Sequence, residues 1–158
     1  MNRVGWLSAV AALALIAGPG AVAAQATSDA ALSTSDREAV RAAVLDYVDA
    51  IYEVEPERIE RSVSRDLVKR GFWRESADAE FREMPMSYEQ LHRLAGGWNA
   101  DGHLDPATAV KEIVVLDVLD KTASAKLVAD WGIDYMHLAK IDGRWMIKNI
   151  LWQSPPAR

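Results

Sequence analysis

The stretch VKEIVVLDVLDKTASAKLVADWGIDYMHLAKIDGRWMIKNILW, from Val110 to Trp152, decides the fold. β-branched and other apolar residues alternate in it with polar ones, and turn signals interrupt it, as in antiparallel strands joined by hairpins. Asp142-Gly143 is the strongest turn, because a type I′ turn needs positive φ at both positions. Asp120-Lys121 and Trp131-Gly132 are weaker candidates. We predict four strands, over about 110–118, 122–130, 133–140 and 144–152.

Two-residue loops at these three turns assign alternate residues of each strand to one face of the sheet. We interpret this face as the inner one. It is apolar except for Lys140 at the rim and the polar pair Asp134 and Asn149. Its apolar members are Val114, Leu116, Val118, Ala123, Ala125, Leu127, Ala129, Met136, Leu138, Trp145, Ile147 and Leu151.

The opposite face carries an apolar patch of Tyr135, Ile150 and Trp152 among charged residues. An exposed apolar patch of this kind generally marks an interface. We therefore predict a homodimer through this outer sheet face. Coverage of the patch by the C-terminal tail, 154–158, is the alternative.

Three helices are predicted before the strands. Apolar residues at helical spacing follow a capping box at Ser35–Glu38 and predict a helix from about Asp36 to Tyr52. Pro56 begins a short second helix near 56–63. A second capping box, Ser87–Gln90, opens a third helix that ends at Gly96-Gly97. Helices followed by an antiparallel meander indicate the α+β class.

The N-terminus has the pattern of a secretory signal peptide over residues 1–24. Arg3 precedes the apolar run from Val4 to Ala17, and small residues allow cleavage after Ala23 or Ala24. The run is shorter than the roughly 20 residues that span a bilayer, so no membrane contact is expected after cleavage. We predict a periplasmic or secreted protein, with a flexible tether over 25–34 and one domain over 35–153.

Composition excludes several classes of function. The 158 residues carry a net charge of −5 and no basic run, which argues against nucleic-acid binding. The chain has no cysteine, so disulfides and thiolate chemistry are excluded. Neither His92, His103 nor His137 belongs to a metal-ligand motif, and no glycine-rich nucleotide loop is present. No metal and no cofactor are predicted.

Asp134 and Asn149 are the polar residues of the predicted inner face. They either hydrogen bond to each other or form the polar end of an apolar ligand cavity, the usual composition of a small-molecule site. In the second case Asp134 is a candidate general base, if burial raises its pKa. Tyr47 and His92 are the other candidates for proton transfer. The predicted ligand contacts are Asn149, Asp134, Trp145, Met136, Trp98 and Trp73.

Three segments resemble the nuclear transport factor 2-like fold, and more narrowly its putative lumazine-binding branch: 66–70 (DLVKR), 134–138 (DYMHL) and 142–152 (DGRWMIKNILW). The resemblance covers about 36–153. It implies a cone in which three N-terminal helices close a curved antiparallel sheet of at least four strands over a cavity, with dimers formed by the outer face. The His-Pro that commonly precedes the first motif in this branch is replaced by Ser64-Arg65. Steroid-isomerase chemistry, known from the same fold, is disfavoured because no aspartate pair lies on the predicted inner face.

Three functions stay open on the sequence alone. The first is an exported dimeric protein that binds a small hydrophobic or aromatic ligand. The second is an isomerase or dehydratase-like enzyme on the same scaffold, using Asp134, His92 or Tyr47. The third is a non-catalytic interaction module whose cavity is a packed core.

Overall fold

The computed structural model describes residues 19–156, with side chains from residue 34 onward. One mixed sheet has the strand order β2-β1-β6-β5-β4-β3, in which β1 and β6 are parallel and the other pairs antiparallel. Helix α1 packs across β3, β4 and β6. The predicted α+β class is confirmed. The elements are α1 Pro19–Tyr52, α2 Glu57–Ser62, β1 Val63–Trp73, β2 Arg82–Glu83, α3 Tyr88–Ala95, β3 Lys111–Val118, β4 Thr122–Ala129, β5 Gly132–Ile141 and β6 Arg144–Gln153.

The second and third helices agree with their predictions. At the start of α3, the Ser87 hydroxyl accepts from the Gln90 amide and the Gln90 side chain accepts from the Ser87 amide, which is the predicted capping box. The predicted start of α1 near Asp36 is wrong, because the helix already begins at Pro19. Asp36 instead accepts hydrogen bonds from Lys140 and Trp145 of the sheet, at 2.7 and 3.1 Å.

The first helix thus includes part of the predicted signal and the whole of the predicted tether. Its N-terminal segment is rich in alanine, the residue with the highest helix propensity. Residues 1–18 of the predicted signal peptide lie outside the described residues. Signal cleavage and the domain limits therefore stay predictions. In the part of the chain that the structure describes, no helix combines the length and the apolar character needed to cross a membrane.

The four predicted strands are confirmed, but two bulges change which residues face inward. The Asp142-Gly143 turn has φ values of 49° and 80°, as predicted for type I′. Leu138 pairs with Ile147 as predicted, but the next pair is His137 with Asn149, so one extra residue lies on β6. A second bulge interrupts β3 after Val115.

A bulge of one residue exchanges the two faces of a strand beyond it. The inner-face positions predicted for Asn149 and Leu151 on β6, and for Val114 and Leu116 on β3, are therefore wrong, and all four residues are exposed. Their places are taken by Ile150 and Trp152 on β6 and by Ile113 and Val115 on β3, which belong to the core or pack against it.

The turn between β4 and β5 lies at Asp130-Trp131, since Ala129 pairs with Gly132. The pairing is thereby shifted by two residues from the predicted one. A shift of two leaves every side chain on its predicted face, and Leu127, Asp134 and Met136 are accordingly buried.

Strands β1 and β2 were not predicted from the sequence. Strand β1 extends the sheet beyond β6, and Lys69 pairs with Ile150 in its parallel register. Leu67, Lys69 and Gly71 are buried. Asp66, which precedes them, and Arg70, which lies between Lys69 and Gly71, are exposed. This alternation places the lysine of the quoted DLVKR motif on the inner face.

Candidate functional site

A cavity of about 310 Å³ opens between helix α1, strands β1 and β6, and the segment that follows α3. Most of its wall is aromatic or aliphatic, and its polar groups come from one tyrosine and one lysine. The lining residues are Tyr47, Ile51, Lys69, Trp73, Met86, Leu94, Trp98, Trp131 and Trp152.

The tryptophans hold one another in place through edge contacts. The ring of Trp131 lies 5.7 Å from that of Trp98, 5.2 Å from that of Tyr52 and 6.0 Å from that of Tyr47, each with a steep interplanar angle. Such T-shaped pairs stabilise beyond the area that they bury. Aromatic packing therefore holds Trp131 and Trp98 in the wall.

Trp152 reaches the cavity because its neighbour on β1 is Gly71. The indole lies directly against this glycine, so a Cβ at position 71 would stand 1.9 Å from Trp152 Nε1. Real Cβ atoms do not approach other atoms so closely. Gly71 is therefore the residue that lets Trp152 lie across β1.

A chain of hydrogen bonds runs from the cavity wall to a buried carboxyl group. Lys69 Nζ donates to Tyr47 Oη at 2.6 Å, and Tyr47 Oη donates to Asp134 Oδ2 at 3.0 Å. Trp131 Nε1 donates to the same oxygen at 3.3 Å. Lys69 is 6% exposed, and Tyr47 and Asp134 are fully buried. Among the described residues, Asp134 Oδ1 and Trp152 Nε1 are buried without a hydrogen-bond partner.

Burial shifts the pKa of Lys69, Tyr47 and Asp134 in the direction that favours the neutral form of each side chain. Desolvation raises the pKa of Asp134, against the opposing effects of Lys69, Tyr47 and Trp131. Desolvation likewise lowers the pKa of Lys69, against the charge of Asp134. The pKa of Tyr47 is raised well above 10.0, first by burial and then by the Asp134 charge. The site thus places a lysine and an aspartate on either side of one hydroxyl group, which can pass a proton between them.

Comparison with known proteins identifies the family. The family model described as "Putative lumazine-binding" matches residues 35–153. The chain belongs to this family. No curated protein matches the chain.

The chain is similar to several solved structures, two of which are described as nuclear transport factor 2-like proteins. One is such a protein of unknown function from Shewanella baltica OS155, 15% identical, with a TM-score of 0.62 over 78% of this chain and 97% of that one. A second, from Silicibacter pomeroyi DSS-3, is 18% identical, with a TM-score of 0.58 over 81% and 98%. A putative scytalone dehydratase from Novosphingobium aromaticivorans DSM 12444 is 14% identical, with a TM-score of 0.53 over 77% and 85%. The predicted fold resemblance is confirmed.

The structure brings together some of the predicted site residues. Tyr47, Trp73 and Trp98 line the cavity, and Asp134 lies directly behind Tyr47. The remaining candidates, Met136, Trp145, Asn149 and His92, lie elsewhere in the fold.

Met136 and Trp145 are buried in the core and are not part of the cavity wall; Trp145 is held by Asp36. Asn149 is on the outer face, beyond the β6 bulge, so neither its predicted pairing with Asp134 nor its predicted cavity position is correct. His92 is outside the wall, and its ring lies 3.2 Å from Glu60.

Six lining residues were not among the predicted site residues: Lys69, Trp131 and Trp152, and the smaller apolar side chains Ile51, Met86 and Leu94. Lys69 belongs to the DLVKR motif at 66–70, which was not predicted to be a strand. Trp131 was assigned to a turn, and the β6 bulge reversed the face of Trp152. No sequence signal marks Lys69 as an inner residue, because the polar Lys69 is buried and its apolar neighbour Val68 is exposed, the reverse of the usual alternation.

Proposed function

We propose that the chain binds a small, flat aromatic ligand in the tryptophan-lined cavity, with an acceptor atom of the ligand facing Lys69. One observation carries the proposal: a buried lysine amine lies in an aromatic wall, and among the described residues a single hydroxyl accepts its hydrogen bond. The family's description as lumazine-binding supports the same ligand class, because lumazine is a flat bicyclic ring with carbonyl oxygens.

The size and surface of the cavity limit the ligand. A volume of about 310 Å³ is near the lower end of small-molecule sites, which begin at roughly 300 Å³. Trp73, Trp98, Trp131 and Trp152 offer rigid planar surfaces. A planar ring system gains most from such surfaces, because stacked and edge contacts both need flat partners.

The unused hydrogen-bonding capacity of Lys69 indicates an acceptor on the ligand. An ammonium group has three N–H donors, and within the described chain Tyr47 Oη is its one hydrogen-bond acceptor. The amine otherwise faces rings, with the centroids of Tyr47 and Trp152 at 5.2 and 5.5 Å. A carbonyl or carboxylate oxygen would satisfy a buried donor that is otherwise costly to leave unmatched.

Binding of 2-naphthoate, compared with naphthalene, tests the proposal. We expect the wild-type protein to bind 2-naphthoate more tightly, since only the carboxylate reaches Lys69. Lys69→Met should weaken 2-naphthoate binding by at least ~10-fold and leave naphthalene binding nearly unchanged, because a charge-assisted hydrogen bond is lost. Quenching of tryptophan fluorescence measures both.

Lys121→Met is the matched control, because Lys121 is exposed in the turn before β4. It should bind both compounds like the wild type. Absence of binding of either compound to the wild-type cavity would refute the proposal. Equal affinity of wild type and Lys69→Met for 2-naphthoate would refute the role of the lysine.

We also propose a homodimer through the outer sheet face, with a corrected contact surface. Ile150 is buried and Trp152 lines the cavity, so only Tyr135 of the predicted patch faces outward. The bulges place Val114 and Leu151 on this face instead. Tyr135 pairs directly with Leu151, and Lys126 pairs with both Val114 and Tyr135. The three apolar residues are 50–52% exposed and form a row typical of an interface.

Leu151→Asp tests the dimer. We expect the wild type to have a dimer mass by light scattering and Leu151→Asp to be a monomer, because a charge buried in an apolar interface typically costs ~2 kcal/mol or more. Leu119→Asp is the control: Leu119 is 59% exposed but lies in the turn between β3 and β4. A monomeric wild type, or a dimeric Leu151→Asp, would contradict the proposed interface.

Export is the third part of the proposal and is supported by the N-terminal sequence pattern alone. In a Gram-negative host we expect the periplasmic fraction to hold a chain that begins at Ala24 or Gln25, as intact mass measures. Leu13→Arg, which interrupts the apolar run, should leave the uncleaved chain in the cytoplasm. Uncleaved wild-type protein in the cytoplasm would contradict export.

A further inference from the structure

We infer that Lys69 is a covalent site, and that its amine condenses with small aromatic aldehydes to form a Schiff base. The inference rests on the aromatic-ligand cavity proposed above. It adds a reaction and a substrate class to that cavity. Three features of the lysine and its surroundings support it.

The first feature is the setting of the amine. Lys111, Lys140 and Lys148 each form an ion pair with an aspartate. Lys69 is buried in the cavity wall, and the nearest polar atom to its amine is the hydroxyl of Tyr47. An amine that is desolvated and not directly ion-paired keeps more of its neutral, nucleophilic form, and burial does lower the pKa of Lys69.

The second feature is a proton carrier in contact with the amine. Tyr47 Oη accepts from Lys69 Nζ and donates to Asp134 Oδ2. Asp134, whose pKa is raised by burial, can hold the proton or return it. Schiff-base formation needs such transfers at every stage, because a proton must leave nitrogen and another must reach oxygen.

The reaction is balanced with these groups. The lone pair of Lys69 Nζ forms a bond to the aldehyde carbon, the carbonyl π electrons move to oxygen, and a proton passes from nitrogen to that oxygen through Tyr47. The carbinolamine hydroxyl then leaves as water with a proton from the Tyr47–Asp134 pair, while the nitrogen lone pair forms the C=N bond. The imine nitrogen gives its remaining proton back to the pair. One aldehyde and one amine give one imine and one water, without oxidation or reduction.

The third feature is the wall, which selects the aldehyde. The rings of Tyr47 and Trp152 lie 5.2 and 5.5 Å from the amine, and Trp131 is part of the same wall, so an aryl aldehyde gains contacts that a short aliphatic aldehyde lacks. Aromatic aldehydes are therefore the expected substrate class.

Reductive trapping tests the inference. Wild-type protein is incubated with 2-naphthaldehyde and sodium cyanoborohydride, which reduces imines and spares the aldehyde. We expect intact mass to show one naphthylmethyl group per chain and peptide mapping to place it on Lys69. Excess 2-naphthoate should suppress this label, and Lys69→Met should lack it. At saturating 2-naphthaldehyde, Tyr47→Phe should react at least ~10-fold more slowly than the wild type, since a proton carrier is lost.

The exposed Lys121 serves as an internal reference in the same peptide map. Labelling of Lys69 no faster than of Lys121, while 2-naphthoate still binds, would overturn the inference and leave the proposed binding function intact. An unlabelled Lys69 together with no 2-naphthoate binding would overturn both. An unchanged labelling rate in Tyr47→Phe would overturn the role of Tyr47 as proton carrier.

Discussion

Asp134→Leu is expected to destabilise the folded protein by about 3 to 5 kcal/mol, although leucine has the same branched arrangement of heavy atoms as aspartate. The carboxyl group is the counter-charge of Lys69 inside the fold, and Tyr47 connects the two. Without it, Lys69 must either stay charged in an apolar wall or give up its proton on folding. Both alternatives cost free energy, and urea unfolding at neutral pH measures it.

Removing both charges should recover most of this loss. In the double variant Asp134→Leu/Lys69→Met no buried charge is left uncompensated, and well-packed apolar replacements of buried ion pairs are often neutral or stabilising. We therefore expect the double variant to be more stable than Asp134→Leu alone. Equal or lower stability of the double variant would show that the two groups are not coupled.

The pH dependence of Asp134→Leu gives a second check. The folded-state pKa of Lys69 lies below its ordinary value of 10.5, and loss of the carboxylate should lower it further. Between the folded and unfolded pKa values the unfolded chain binds more protons, so stability rises with pH in this window. The deficit of Asp134→Leu relative to wild type should therefore shrink as pH approaches 10.5. A deficit that is independent of pH would assign the effect to packing.

Gly71→Ala is expected to destabilise the protein by about 1 to 3 kcal/mol, the usual cost of overpacking. The added methyl group would overlap the Trp152 indole, with contacts of 1.9 to 2.3 Å to three of its atoms. Relief requires Trp152 to move off β1, and the space beside it is the cavity. We expect this variant to lose 2-naphthoate binding together with stability, as thermal unfolding and fluorescence titration measure.

Gly97→Ala is the matched control for this substitution. A Cβ at position 97 meets its nearest atom, the Arg93 carbonyl oxygen, at an ordinary 3.8 Å. Substitutions without a steric or charge conflict usually change stability by less than ~0.5 kcal/mol. If Gly71→Ala behaved like Gly97→Ala, the close packing of Trp152 on β1 would not control the shape of the cavity.

The sequence predicted the parts of the fold that local patterns control. The Asp142-Gly143 turn, the Ser87 capping box and the alternation within the C-terminal strands each depend on a few neighbouring residues, and all are found. Strand β1 was not predicted, since its partner β6 lies far along the chain and their parallel pairing leaves no hairpin turn to read. A bulge likewise has no characteristic turn residue in the sequence. The predicted faces of β3 and β6 were therefore reversed beyond the bulges.

The residues of the candidate site likewise fall into those that local sequence patterns predicted and those that they did not. Tyr47 could be predicted because it lies on the apolar stripe of α1. Asp134 could be predicted because a register shift of two residues leaves its side chain on the same face of the sheet. Lys69 and Trp152 depend on the missed strand and the missed bulge. The cavity could be anticipated from the fold resemblance, but its lysine could not.

A crystal structure of the protein soaked with 2-naphthoate tests the central claim most directly. The proposal predicts the naphthalene ring among Trp73, Trp98, Trp131 and Trp152, with a carboxylate oxygen at ~2.8 Å from Lys69 Nζ. A cavity filled by its own side chains would contradict it. So would a ligand that lies on the outer sheet face and leaves Lys69 bonded to Tyr47 alone.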